Sequence, residues 1–589
     1  MTSPLAAAPS AQTDRFVHDR LPPPGQRADM RYDLPELVIE AQANLVDVLL
    51  GQVAARGLSE RPFLRSDKIT LSYADTAERI KRIAQVLTED FALVPGNRVL
   101  LRGGNSIGMA LAWLGVVKAG LVAVATMPLL RAKELAEIIE KAQPALALCD
   151  ATLLDELQTA HAQTSTLKTI IAFNLANAPG SLAVLSASKD GHFAPCRTAA
   201  DDIALMAFTS GTTGRPKAAI HTHRDVLAAC QAWPRHILRA TPDDIVVGSP
   251  PLAFTFGLGG MLLFPLVAGA SVYFPSVAYT PESMVKLIND KGATICYTAP
   301  TLYRQMAPFA KQQGLPSLHT CVCAGEALPD TTRQRWKDAT GIELLDGIGA
   351  TEMFHIFIST TPGDIRRGAI GQVVPGYSAK VVDAQGQEVA RGSIGKLAVK
   401  GPTGCKYLDD ARQTGYVKDG WNYPGDAFMQ DADGYFFYLA RDDDLIITAG
   451  YNVGGPEVED ALLKHAAVAE CGVIGLPDEE RGMVVKAFVV LQPGYPESPE
   501  TIKALQDHVK ATLAPFKYPR QIEFLKVLPR TETGKLQRFK LRARDALVVS
   551  TDVTASAAPA DPAGQPAHIP DNFKDAGPPC LQKNGQDTP

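Results

Sequence analysis

Apolar residues along this chain fall into short unbroken runs, separated by stretches whose apolar positions recur with helical spacing. Ile80, Ile83, Val86 and Leu87 share one helical face, Arg98-Val99-Leu100-Leu101 reads as a strand, and Ile107 to Lys118 reads as the next helix. Leu121 to Thr126 and Ala145 to Cys149 are further runs without period, the mark of strands covered on both faces. This strand–helix rhythm predicts an α/β fold of parallel sheets covered by helices. Ile203-Ala204-Leu205-Met206-Ala207-Phe208 is another such strand, and more are expected near 245–248, 294–298 and 319–324. Past Gly395 the texture turns to short strands with frequent glycine, ending in Tyr438-Leu439-Ala440-Arg441. After Asp442-Asp443-Asp444 comes an α+β unit with strands at Cys471–Leu476 and Val484–Leu491 and a helix from Ile502 to Leu513.

The pattern divides the chain into an N-terminal arm (1–40), a large N-terminal domain (41–442), a small C-terminal domain (443–548) and an Ala/Pro/Asp/Gln-rich tail (549–589) expected to be disordered. Residues 1–15 are expected to be disordered too, with Leu21-Pro22-Pro23-Pro24-Gly25 as an extended arm. A chain of 589 residues is too long for one core, which agrees with this division.

Composition narrows the function classes. A hydrophobic fraction of 46% and a charged fraction of 21% are those of a globular protein, and a net charge of -5 argues against nucleic acid or an anionic membrane as partner. The nine cysteines are scattered, with Cys321-Val322-Cys323 lacking a second pair at zinc spacing, so buried thiols in a reducing cytoplasm are expected. Residues 1–14 show no signal-peptide pattern. The charge-free stretch Ile245–Pro281 is long enough to span a bilayer, but Pro250, Pro251, Gly257, Gly259, Gly260, Pro265 and Gly269 interrupt it. A buried strand, loop and helix lining a pocket is the expected outcome.

The strand ending at Phe208 delivers the loop Thr209-Ser210-Gly211-Thr212-Thr213-Gly214-Arg215-Pro216-Lys217. Its glycines permit close approach to an anion, Ser210, Thr212 and Thr213 offer hydroxyl donors, and Lys217 brings a point charge. It is not a Walker A loop, because Pro216 stands where the second glycine belongs and Ala218 follows the lysine. In an α/β fold such a loop belongs beyond the carboxyl ends of the strands, where Ala324-Gly325-Glu326-Ala327-Leu328-Pro329 and Asp346-Gly347-Ile348-Gly349-Ala350-Thr351-Glu352 should join it.

With these motifs in this order, the chain resembles the acyl-adenylate-forming ligases over roughly residues 40 to 545. The resemblance implies ATP, Mg²⁺ and, for the acyl-CoA synthetases, CoA as reactants. It implies that Thr351 bonds a phosphate, that Glu352 holds Mg²⁺, that Asp426 accepts from the ribose hydroxyls beside Arg441, and that Lys535 in Pro529-Arg530-Thr531-Glu532-Thr533-Gly534-Lys535 is catalytic. Ile348 departs from the usual aromatic residue. The small domain is implied to be mobile about Asp443, exchanging Lys535 for Gly450-Tyr451-Asn452 at the CoA tunnel. Within the family, Thr351-Glu352-Met353-Phe354-His355-Ile356-Phe357 and Gly534-Lys535-Leu536-Gln537-Arg538-Phe539 are similar to bacterial aryl-CoA ligases of the benzoate and 2-aminobenzoate type. That similarity implies a pocket walled by Thr255, Phe256, Gly257, His355 and Ile356 for a small aromatic acid, with 2-aminobenzoate as first choice and benzoate or hydroxybenzoate as alternatives. An adenylating enzyme that loads a carrier protein, and a nucleotide-binding regulator, are weaker readings: no carrier domain follows, and both Glu352 and Lys535 are present. The resemblance leaves room for a homodimer.

Overall fold

A computed structural model describes residues 8–209, 216–276, 279–442, 444–530 and 535–545. Among the described residues the strands form four sheets. The first runs Ile170–Phe173, Leu146–Asp150, Arg98–Arg102, Val122–Thr126, Ile203–Thr209 and Lys217–Thr222 in spatial order, parallel except for the last strand, which folds back antiparallel. The second places Leu344–Gly349, Thr320–Ala324, Ile295–Thr298, Ile245–Gly248, Ser271–Phe274 and Pro62–Ser66 parallel at its centre. Antiparallel strands edge it, including Ile356–Ser359 beside Leu344–Gly349. A smaller antiparallel sheet contains Ile394–Lys400, Asp426–Gln430 and Phe436–Arg441, and a fourth holds Ile446–Thr448, Val468–Asp478 and Gly482–Leu491.

One continuous core joins the two large sheets. It contains Val99, Leu101 and Ala123 of the first, Val246, Ile295 and Val322 of the second, and the buried faces of the helices Leu45–Ala55, Tyr73–Gln85 and Ile107–Lys118. Burial on every side explains why Ile107–Lys118 is apolar all round, each of Met109 to Lys118 being buried. The helix Tyr73–Gln85 instead starts on a Ser72/Asp75 capping box and turns only Tyr73, Thr76, Ile80, Ile83, Ala84 and Gln85 inward. The charge-free stretch is a strand (Ile245–Gly248), short helical turns between Thr255 and Ala268, and a second strand (Ser271–Phe274). Among the described residues no helix is long and apolar enough to cross a membrane.

For residues 8–15 the expectation of disorder is overturned, while residues 1–7 lie outside the described residues. Ser10 Oγ and Ala11 N donate to the Asp202 carboxylate, and Gln12 exchanges hydrogen bonds with Ile203 at 2.7 and 3.2 Å. Asp14 pairs with the buried guanidinium of Arg98, and the Phe16 ring lies under both Arg98 and Arg20. Low local hydrophobicity concealed this, because the arm is ordered by polar contacts to groups far along the chain rather than by a core of its own. Further on, Lys400 Nζ bonds Asp29 at 2.6 Å, Arg31 N donates to Gly401 O and Gln413 Nε2 donates to Gln26 O. The arm is thereby strapped to residues 400–413.

Residues up to Leu541 fall in one compact unit. The small C-terminal sheet is joined to the large body by Thr331, whose N and Oγ1 both donate to Asp460 Oδ1, and by Arg530, which lies 3.5 Å from Glu326 and 2.9 Å from Glu470. Asp443, the expected hinge, and residues 546–589, including the expected tail, lie outside the described residues.

Removing the Asp14 carboxylate leaves Arg98 buried without its partner. Asp14→Ala is expected to destabilise the protein by about 2–4 kcal/mol in denaturant unfolding, as for a broken buried pair, whereas an arm that contributed nothing would give a change under about 0.5 kcal/mol.

Candidate active site

The two large sheets meet at their carboxyl ends. In the first, Thr209 pairs with Lys217 across the mouth of the hairpin, while Ser210, Gly211, Thr212, Thr213 and Gly214 of the connecting loop lie outside the described residues. Lys217 Nζ donates to Tyr407 Oη at 2.9 Å, Tyr407 Oη donates to Glu352 Oε1 at 2.5 Å, and Lys217 Nζ stands 3.7 Å from the same carboxylate oxygen. Thr351 and Glu352 form a 3₁₀ turn directly after the strand Leu344–Gly349 of the second sheet. His221 Nε2 is 2.7 Å from Thr351 O, and burial pushes the imidazole down to about 4. A neutral ring facing a carbonyl must carry its proton on Nε2. Thr209 Oγ1 is buried at the loop's edge without a hydrogen-bond partner among the described residues.

A second cluster faces the first. Asp426 and Arg441 sit opposite each other on paired strands, with Arg441 Nη1 3.5 Å from Asp426 Oδ1. Gly325 ends the strand Thr320–Ala324 with φ +92°, and a Cβ there would lie 3.5 Å from Lys535 Cε. A side chain at 325 would therefore meet left-handed strain and the lysine together. Lys535 reaches solvent, yet crowding by protein holds its pKa below the ordinary lysine value. Glu326, Asp426 and Glu352 oppose that shift, and Arg441 adds to it. Glu326 accepts from Thr301 Oγ1 at 2.8 Å, and its carboxyl is pushed up by burial; Ala327 continues the same turn.

One expected site residue is placed differently. The Asp346 carboxyl points into the protein, accepting from Gly347 N at 2.9 Å and lying 3.7 Å from Arg333, and burial pushes it up to about 6. Its side chain braces the interior of the sheet, two strands in from the edge. Gly347 and Gly349 are there for contact reasons: a Cβ would strike the Ile356 side chain at 2.8 Å in one case and His355 O at 2.5 Å in the other.

His355 lies inside a box of aromatic rings. Its ring centroid is 4.5 Å from Phe264, 5.5 Å from Trp233 and 5.6 Å from Phe256, and Tyr297 closes the box 5.9 Å from Phe256. The His355 imidazole is hydrogen-bonded to the Phe256 backbone, while Tyr297 Oη is buried without a hydrogen-bond partner among the described residues. Trp233 Nε1, by contrast, is satisfied by Ser359 Oγ at 3.0 Å. Desolvation pushes His355 down to about 3, so the ring is neutral. Gly257 packs so closely on Pro251 O that a Cβ would come within 2.0 Å. Thr255 lines a separate small apolar pocket with Trp113, Ala125, Met206 and Leu252, so of the two polar candidates it is His355 that stands in the box. Between Glu352 and His355 the chain turns sharply at Phe354, with φ +69° and His355 N donating to Met353 O at 2.9 Å. This strained turn separates the phosphate-side carboxylate from the aromatic box.

Sequence reasoning missed Tyr407, His221, Trp233 and Tyr297. His221 and His223 flank a threonine just after the loop, which is a faint signal. Tyr407 has none, being 190 positions from Lys217. Gly450, Tyr451 and Asn452 lie on the small sheet, where the exposed Tyr451 ring stacks on Phe516 at 4.4 Å.

The sequence pattern of the AMP-binding enzyme family matches residues 51–407, and that of the AMP-binding enzyme C-terminal domain matches residues 457–535. The chain belongs to this family. The benzoate–CoA ligase of Thauera aromatica is 34% identical to this AMP-binding enzyme over 88% of the chain and 99% of its own length. The 4-hydroxybenzoate–CoA/benzoate–CoA ligase of Rhodopseudomonas palustris is 33% identical over 84% of the chain and 92% of its own. Among solved structures, an anthranilate CoA ligase in complex with anthranoyl-AMP superposes with TM-score 0.83 at 33% identity, covering 88% of this chain and all of that one. A benzoate CoA ligase from Burkholderia xenovorans gives 0.76 at 31% identity, covering 85% of this chain and all of that one.

Burial holds His221, His223 and His355 below the ordinary histidine value, at about 4, 4 and 3. The unfolded chain therefore binds more protons than the folded AMP-binding enzyme between about pH 6.5 and pH 4. Stability is full above pH 6.5 and is lost as pH falls, by roughly 3 kcal/mol each for His221 and His223 and roughly 5 kcal/mol for His355 at the acid limit. Thermal unfolding followed from pH 7 to pH 4 should show this slope, and His355→Phe should flatten it.

Proposed function

We propose that this enzyme activates an aromatic carboxylic acid as its acyl adenylate, releasing pyrophosphate, and then transfers the acyl group to CoA. The observation that carries the proposal is the neutral His355 ringed by Phe264, Trp233 and Phe256, one strained turn from Glu352. A flat ring is the shape such aromatic walls reward, and beyond its bond to the Phe256 backbone the imidazole keeps a second ring nitrogen that a ligand can meet. Among aryl acids, 2-aminobenzoate is our first choice, with benzoate and hydroxybenzoate next. The anthranoyl-AMP in the similar ligase supports this choice, because anthranilate is 2-aminobenzoate.

The chemistry joins two anions, so the site must offset their repulsion. Lys217 and the loop before it would hold the phosphates, Asp426 the ribose hydroxyls beside Arg441, and Lys535 the developing charge between carboxylate and α-phosphate. No group of three or more metal-ligating side chains occurs among the described residues. A single carboxylate beside a phosphate site suits Mg²⁺, which keeps waters and phosphate oxygens as its other ligands; Glu352 would hold it, and the ion would neutralise the leaving pyrophosphate. For the second step, Tyr451, Gly450 and Asn452 would approach the CoA tunnel by rotation about Asp443.

A screen of pyrophosphate release should show kcat/KM for 2-aminobenzoate or benzoate at least about tenfold above hexanoate, and His355→Leu should cost 2-aminobenzoate about 1 kcal/mol more than benzoate. Hexanoate as the best substrate would remove the aromatic reading. Lys535→Ala should slow adenylation by about 10²-fold or more while sparing thioester formation from supplied acyl adenylate; equal losses in both half-reactions would contradict the role given to the lysine. Asp443→Pro should show the mirrored defect, because fixing φ hinders rotation.

A further inference from the structure

Tyr407 is the one side chain that touches both Lys217 and Glu352 among the described contacts. We infer that Tyr407 is a positioning residue of the phosphate site, a spacer that holds the Lys217–Glu352 ion pair open at 3.7 Å, short of a direct hydrogen bond, and so leaves the ammonium for phosphate and the carboxylate for the metal. This inference rests on the adenylating reading of the site.

The polarity of the bridge is fixed by chemistry. An ammonium can only donate and an ionised carboxylate can only accept, so the phenol takes a proton from one side and gives its own to the other. A phenol keeps its proton at neutral pH, so in this geometry Tyr407 is the donor to Glu352. Without it, this partly buried ion pair, 3.7 Å apart, would close to a direct hydrogen-bonded contact. A lysine neutralised in that way is a poorer anchor for triphosphate, and a carboxylate so engaged is a poorer ligand for Mg²⁺.

The frame around Tyr407 is rigid enough for this task. Residues 406–408 lie as an added strand on the outer edge of the hairpin, with Ile220 N donating to Lys406 O at 2.8 Å and Leu408 N donating to Ala218 O at 3.0 Å. Lys406 is pinned by the buried Asp225 at 2.7 Å, and the Tyr407 ring meets Tyr416 edge-on at 5.8 Å. Gln413 Oε1 accepts from Tyr407 N at 2.9 Å while its amide donates to Gln26 O, which ties the spacer to the N-terminal arm. The ordered arm thus braces the segment that carries the bridge.

The test is Tyr407→Phe, which keeps the ring and deletes the bridge, measured in the full chain by calorimetric binding of AMP, of ATP without metal and of ATP with Mg²⁺. The expected result is a loss of about 10- to 100-fold in affinity for ATP with Mg²⁺, a smaller loss for ATP alone and AMP binding unchanged. In activity, adenylation should lose kcat with KM for the aromatic acid unchanged, and thioester formation from supplied acyl adenylate should be spared. AMP binding weakened in proportion to ATP with Mg²⁺ would show that the tyrosine only supports packing and would overturn the inference. So would wild-type affinity for ATP with Mg²⁺. If wild-type protein binds ATP and Mg²⁺ normally but activates no acid, the adenylating reading fails while the spacer stands or falls on the calorimetry. If wild-type protein binds neither nucleotide, both fail.

Discussion

The site exists only because two separate sheets are held in register at their carboxyl ends. Lys217 and His221 belong to the hairpin strand of the first sheet, and Thr351 and Glu352 follow a strand of the second. Two side chains span the gap: His221 reaches Thr351 O at 2.7 Å and Tyr407 reaches Glu352 at 2.5 Å. In a dry setting such bonds are stiff, since the alternative for each group is burial without a partner. The shared core beneath them supplies the adhesion, and these two contacts set the alignment.

From that alignment follow two chemically opposite neighbourhoods a few residues apart. On one side of Phe354 lies a charged cluster of Lys217, Tyr407 and Glu352. On the other lies an aromatic box around His355, with Tyr297 Oη buried and without a hydrogen-bond partner among the described residues. A residue other than glycine at φ +69° is costly, and Phe354 is held there fully buried.

The small C-terminal sheet adds Lys535 to this arrangement through charge rather than through a large apolar interface. Arg304, Glu470, Arg530 and Glu326 alternate in sign across the contact, at 3.8, 2.9 and 3.5 Å. Such a chain is specific in geometry and modest in net energy, because each ion loses hydration on entering it.

The sequence by itself determined most of the fold and the identity of the motifs. Unbroken apolar runs located strands such as Arg98–Arg102 and Ile245–Gly248, because buried parallel strands have no wet face to break the run. Glycine, hydroxyl and lysine spacing marked a candidate phosphate loop, and the motifs pointed to Glu352, Asp426 and Lys535, which the structure brings near one another together with Gly325 and Arg441. Tertiary structure alone decided what touches what. Asp346 reads as a ligand in its motif but turns inward to Arg333, because its strand position faces the core. The arm reads as disordered but is fixed by Asp202 and Arg98, partners distant in sequence. Tyr407 carries no local signal, since its role arises only when strands 190 positions apart become neighbours. Local patterns report how a segment buries itself, whereas partners for buried polar groups come from wherever the fold brings them.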